Sequence, residues 1–297
     1  MKYFKISLAV LVSVFLLASC GSSSKQEDQS SDTFDLDAYI KAAESIDPNL
    51  DKVDQVFNIL DMVNAEYYDV LTNDPYSAHS YKTSYPIAAA NLGIYITDIL
   101  YHHYGEATET MYLTFSAAQE LAKHIGIQSE FASTTIEGLE GTLMKRDTIT
   151  LLFNSLLEDS ENYNSEQELL FVHTAFLTGS FVEKVYITSN LLKQKMNAKE
   201  ITNEEQSDIK ELLVIYLNQL NPSTGILYDT FVKQQEQLED LVLITTFEKL
   251  KELSNQLKNM KASLVAAPVS EIAANQDLNT TFELITNLRT VLVSAGK

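Results

Sequence analysis

Pro86-Ile87-Ala88-Ala89-Ala90-Asn91-Leu92-Gly93-Ile94-Tyr95-Ile96-Thr97-Asp98-Ile99-Leu100-Tyr101-His102-His103-Tyr104 is the stretch that decides how this chain folds. Wound as a helix, it spreads apolar or small side chains (Ala89, Leu92, Ile96, Ile99, Leu100 and Tyr104) round most of its circumference. A surface helix keeps a broad polar face. This one lacks it and therefore belongs inside a body of other helices. Pro86 suits a first turn and Gly105 breaks the run.

Asn91, Tyr95, Asp98 and His102 fall on one narrow polar stripe of that helix. The stripe is either a thin solvent edge or a polar seam inside the protein. As a seam it would be a structural hydrogen-bond network between helices, a ligand-binding surface, or half of a metal site. Asp98 and His102, four residues apart, are placed to pair as carboxylate and imidazole. A structural network predicts that Asp98→Asn lowers the melting temperature. His102 and the adjacent His103 diverge by one helical step and cannot chelate one ion, and no Glu-x-x-His pair, His-Glu-x-x-His run or calcium loop occurs.

Outward from this helix the apolar spacing stays close to 3.6. It predicts helices over about 35–46, from about 49 to the residue before Asn73-Asp74-Pro75, about 107–125 closing at Gly126, about 147–162, about 165–196, and about 203–220 ending before Asn221-Pro222. A helix of about 223–265 then carries Leu243, Phe247, Leu250, Leu257 and Leu264 on a heptad stripe until Pro268, and a closing helix covers about 279–294. Tyr76 to Tyr85 reads as a loop. Only 9 glycines and 5 prolines occur in 297 residues, too few for many strands joined by tight turns. The reading is all-α, an irregular multi-helix bundle or array of helical hairpins. In the 165–196 helix, Thr174, Thr178, Gly179 and Ser180 form a small-residue patch suited to a close helix contact. Glu183, one turn on, is a candidate buried acid reaching a partner.

The first residues carry a different signal. Lys2 and Lys5 precede the apolar run Ile6 to Leu17, the length of a secretory h-region and too short to span a bilayer. The run ends in Leu17-Ala18-Ser19-Cys20, which looks like a lipobox: a branched apolar residue, two small ones, then cysteine. Cys20 is the only cysteine, so a disulfide framework is impossible, and its position is the one a lipid anchor needs. Residues 1–19 are accordingly read as a signal peptide, 20–34 as the lipidated cysteine with a polar tether, and 35–297 as one helical domain. Gly21 after the cysteine fits sorting to the outer membrane.

Removing residues 1–19 takes away two lysines and no acids, so the formal charge moves from −20 to −22. Phosphate backbones repel such a chain, and with only Arg146 and Arg289 as arginines it has no cluster to grip them. Nucleic acid is excluded as a partner. No phosphate loop, dinucleotide fingerprint or Gly-x-Ser-x-Gly elbow occurs, and no cofactor is implied.

Three stretches, Ala90 to Asp98, Lys145-Arg146-Asp147-Thr148 and Leu177 to Tyr186, together resemble a family of uncharacterised all-helical lipoproteins of bacterial envelopes. Where that family tends to carry Gly-Gly-Trp, this chain has Gly179-Ser180-Phe181. The resemblance implies a helical fold and an envelope location, and no activity. The expected partners are a membrane, through the anchor, and another envelope protein held by the helical domain. An enzyme or small-ligand site using Asn91, Tyr95, Asp98, His102 and Glu183 is the alternative.

Overall fold

Ser84 begins the central helix with a double role. Its hydroxyl accepts the Ile87 N–H at 3.3 Å, capping helix α1 (Tyr85–Tyr104), and donates to Asp240 Oδ2 at 2.9 Å. Asp240 Oδ1 in turn accepts the N–H groups of Val242 and Leu243 at the start of α5 (Leu241–Ala266). Two helices far apart in sequence thus share one capping cluster. The computed structural model describes residues 65–127, 131, 148–151, 154–156, 170–198, 201–232 and 239–296. The chain divides into two compact units, Met1–Thr33 and Phe34–Lys297, and every described residue belongs to the second. The candidate lipobox, the expected tether, the 35–46 helix and Lys145-Arg146 lie outside the described residues.

The other helices are α2 (Thr108–Ile125), α3 (Leu170–Met196), α4 (Asn203–Val232) and α6 (Gln276–Val293). Helix α1 lies between α2 and α3; α3 also meets α6 and α4, and α5 packs on both α4 and α6. Among the described residues there is no strand, and the fold is an all-α multi-helix bundle. None of the described helices is long and apolar enough to cross a membrane.

Every residue of α1 from Ile87 to His102 is buried, as its all-round apolarity requires. Each large apolar side chain so placed contributes roughly 1.5–3 kcal/mol over an exposed one. Against α3 the approach is closer than side chains allow. A Cβ built on Gly93 would lie 2.1 Å from the Phe176 carbonyl oxygen, and one on Gly179 would lie 1.8 Å from that of Ala90. The small-residue patch is therefore a backbone-to-backbone crossing. Thr97, whose hydroxyl bonds the Gly93 carbonyl at 3.1 Å, meets Ser180 Oγ at 3.2 Å beside it.

Four expectations change. The helix expected over about 223–265 is divided, since Asp240 is extended and caps a separate helix α5 from Leu241. The helix that was to run to the residue before Asn73 is absent from its described part: Ala65–Tyr68 is not helical, and only Asp69–Leu71 makes a 3-10 turn. Local apolar spacing loses there to tertiary bonds, since Tyr68 N–H donates to Tyr101 Oη at 2.9 Å and the Ala65 carbonyl accepts Tyr104 Oη at 2.7 Å. Within the expected loop, Pro75–Tyr81 is a 3-10 helix capped by the Asp74 carboxylate, which accepts the Tyr76 N–H. The largest change is at Pro222, which sits inside α4 rather than after it.

Proline in a helix interior removes one hydrogen bond and costs about 3 kcal/mol. The buried residues Leu213, Leu217, Leu220, Thr224, Leu227 and Phe231 explain why α4 continues. Their alternating spacing of four and three carries one apolar stripe through Pro222 without a phase shift, and breaking there would strip its second half from the core. The heptad residues of α5 are likewise all buried, including Leu243, Leu250 and Leu264 at 0% exposure, so that stripe is a bundle face. Thr202 and Glu205 form a reciprocal capping box before α4: Thr202 Oγ1 accepts the Glu205 N–H, and Glu205 Oε2 accepts the Thr202 N–H at 2.7 Å.

Candidate functional site

The stripe of α1 is an internal seam. Asn91, Tyr95, Asp98 and His102 are all 0% exposed, as is Glu183 on α3. Each of the four projects from α1 towards a different neighbour, so the expected pair of Asp98 with His102 does not form. Both residues have better partners across the core than along their own helix.

At the first turn, the Asn91 side-chain amide donates to Ile87 O and to Leu292 O at 3.2 Å, satisfying a carbonyl in the last turn of α6. One turn on, Tyr95 Oη donates to the Asp74 carbonyl at 2.8 Å. Burial, and after it the fields of Tyr81 and Asp98, push the Tyr95 hydroxyl far above its ordinary range and keep it a donor. Nearby, Tyr81 Oη donates to the Val293 carbonyl at 3.1 Å and accepts from the Asn73 side-chain amide at 3.1 Å.

His102 closes the seam. Its Nδ1 lies 2.8 Å from Tyr67 Oη and its Nε2 lies 3.1 Å from Thr114 Oγ1 on α2. The single Thr114 hydroxyl proton is committed to the Thr110 carbonyl at 2.9 Å, so Nε2–H must donate to Thr114 and Nδ1 must accept from Tyr67. That assignment makes the ring neutral with both nitrogens satisfied. Burial lowers its pKa to about 4, partly countered by Asp69. The folded-state value is below the ordinary 6.5, so this residue's contribution is complete above about pH 6.5 and is lost as pH falls towards 4. At about 1.4 kcal/mol per pH unit, the loss amounts to about 3 kcal/mol. An NMR titration of the His102 ring should accordingly give a midpoint near 4. A midpoint near 6.5 would reject the packing described.

The centre of the seam is Asp98, Glu183 and Arg289. The guanidinium grips Glu183 with two parallel bonds, Nε to Oε2 and Nη2 to Oε1, both 2.7 Å. Nη2 also donates to the Leu71 carbonyl at 3.3 Å, and the Tyr186 ring covers the guanidinium at 4.3 Å. Burial alone would lower the Arg289 pKa, but the charge and hydrogen bonds of Glu183 outweigh it and raise the value. Asp98 Oδ2 accepts the Asn73 N–H at 3.0 Å, while its Oδ1 meets no N–H donor. The charged groups that act on the Asp98 carboxyl are Glu183 and Arg289. Burial first, and the neighbouring Glu183 charge second, raise the Asp98 pKa well above the usual carboxylate range, against opposing pulls from Arg289 and the Asn73 amide.

Sequence reasoning found both acids and missed their cation. Arg289 lies within the buried stripe of Ile285, Leu288 and Leu292 on α6, and a charge on an apolar stripe was the available signal. Asn73, Tyr67 and Thr114 carried no such mark. A cleft of about 130 Å³ opens elsewhere, lined by Ala65, Glu66, Tyr68, Leu191, Gln194, Lys195 and Ala198, with none of the five seam residues on its wall. No group of three metal-ligating side chains stands together among the described residues. No family model, curated protein or solved structure matches the chain.

Proposed function

We propose that this protein is a lipid-anchored component of a bacterial envelope, whose helical domain binds or scaffolds another envelope protein. The observation that carries the reading is the position of the single cysteine, Cys20, directly after a short apolar run and the sequence Leu17-Ala18-Ser19. Diacylation of that thiol and cleavage before it would leave at least two fatty chains on the new N-terminus. Two chains hold a protein to a bilayer where one does so only marginally. Gly21 directly after the cysteine favours transfer to the outer membrane.

The state of the seam supports binding over catalysis. An acid or base must reach its substrate within about 3 Å, directly or through one water. Asn91, Tyr95, Asp98, His102 and Glu183 are wholly buried, and their bonds tie α1 and α3 to α2, to α6 and to the Asn73-Asp74 segment. A partner would therefore meet the outer surface of the bundle.

Cys20→Ser is expected to abolish labelling by palmitate and to move the protein out of the membrane fraction, unprocessed or shed. Normal processing with unchanged membrane association would overturn the anchor. Crosslinking of intact envelopes followed by purification should recover the same partner repeatedly; only non-specific material would count against the scaffold reading.

A further inference from the structure

Two buried carboxyls face one guanidinium at the centre of the fold. Were both ionised, the cluster would carry a net negative charge with no solvent to screen it, an arrangement proteins avoid by neutralising one group. The bonds say which one. Glu183 has both oxygens in the fork of Arg289, whereas Asp98 has one oxygen on the Asn73 N–H and the other on no N–H donor. An acceptor next to Glu183 gains a bond only by carrying a proton. We propose that Asp98 and Glu183 share one proton, donated from Asp98 Oδ1 to the Glu183 carboxylate, and that this proton latches the Asp69–Pro75 segment and α6 onto the α1–α3 pair.

The surroundings fit such a latch. Asp98 comes from α1, Glu183 from α3, Arg289 from α6, and Asn73 and the Leu71 carbonyl from the segment that covers them. The other titratable groups around the site are Tyr95 and His102 on α1, Asp69 and Asp74 on the covering segment with Tyr67 and Tyr81 on either side of it, and Tyr186 on α3; Lys184, the next residue along α3, is also buried. Arg289 is the cation whose field acts on Asp98, and Glu183 already occupies its fork. The charge that disfavours a second carboxylate at Asp98 is that of Glu183, and burial keeps Tyr67, Tyr81 and Tyr95 neutral. When the proton leaves to solvent as pH rises, two like charges remain side by side. Opening the covering segment to water is the route that relieves them.

Because the folded-state pKa of Asp98 is raised, its contribution is complete below the ordinary carboxyl range and is lost as pH rises through the folded-state value. Asparagine reproduces the neutral acid, since its amide donates to Glu183 and its oxygen accepts from Asn73. The sequence alone led to the expectation that Asp98→Asn weakens the fold; the paired carboxyls reverse it.

The test compares the full chain with Asp98→Asn. The melting temperature of the wild type, relative to the variant, should fall by roughly 3–5 °C per pH unit above pH 5 until the proton is lost. Isotope-edited infrared spectra of aspartate-labelled wild type should show a protonated carboxyl at neutral pH that the variant lacks. Hydrogen exchange at the Asn73 amide should accelerate with pH in the wild type more than in the variant. A constant difference in melting temperature between pH 5 and 9, or a carboxylate signal only, would overturn the proposal. So would a variant that fails to fold, because the amide replaces each bond of the neutral acid.

Discussion

Gly179→Ala should lower the melting temperature by roughly 6–12 °C, or prevent folding outright. The added methyl would stand 1.8 Å from the Ala90 carbonyl oxygen, and the nearest atoms are backbone, which cannot rotate aside as a side chain would. Helices α1 and α3 must then separate along a buried seam, and overpacking of this kind costs about 3 kcal/mol, at some 2–4 °C per kcal/mol in a domain of this size. Gly225→Ala on α4 is the control. Nothing lies within 4 Å of the place its methyl would take, so the helix gains about 1 kcal/mol from losing a glycine. Opposite signs for the same substitution in two helices would isolate the crossing from helix propensity. Gly93→Ala, which meets the Phe176 carbonyl oxygen at 2.1 Å, should not add fully to Gly179→Ala, because either methyl forces the same pair apart. A Gly179→Ala protein melting within about 2 °C of wild type would refute the close approach.

Arg289→Met should be comparably severe, costing about 3–5 kcal/mol by chemical denaturation. Methionine fills much of the space, so the loss is that of a cation whose removal strands two carboxyls in the core, together with the Leu71 carbonyl it satisfies. Adding Glu183→Gln to Arg289→Met should recover part of that loss, since the double variant buries no uncompensated charge. If the double variant were as unstable as the sum of the two single changes, the pair would not be coupled in the manner the bidentate bonds require.

The helical class and the buried position of α1 were legible because they rest on local pattern. Ile87 to His102 offers no face that water would accept, and any helical packing must enclose it. The polar stripe was legible for the same reason, but its partners were not. Asn91 reaches Leu292, Asp98 reaches Asn73 and His102 reaches Tyr67, separations of 201, 25 and 35 residues that no helical period encodes. The i,i+4 rule therefore paired Asp98 with His102 when each had a distant alternative. Pro222 misled in the opposite direction. The local rule for proline is strong, yet the stripe from Leu213 to Phe231 runs through it in phase, and reading the stripe first would have kept α4 whole. At Asn73-Asp74-Pro75, the capping aspartate and the proline at the first position announce the 3-10 helix that follows.

Opposing titrations share α1. Falling pH weakens it through His102 and rising pH through Asp98, so the helix is held best between the two titrations.

The last turn of α6 is held by residues near the beginning of the described domain: Tyr81 on the Val293 carbonyl, Asn91 on that of Leu292, and Arg289 reaching back to Leu71. During synthesis, none of these bonds exists until α6 has emerged. The early helices must wait with their polar groups unmatched, which makes closure a late, high-contact-order event. A bundle that locks only when α6 arrives keeps its earlier helices open to rearrangement until then.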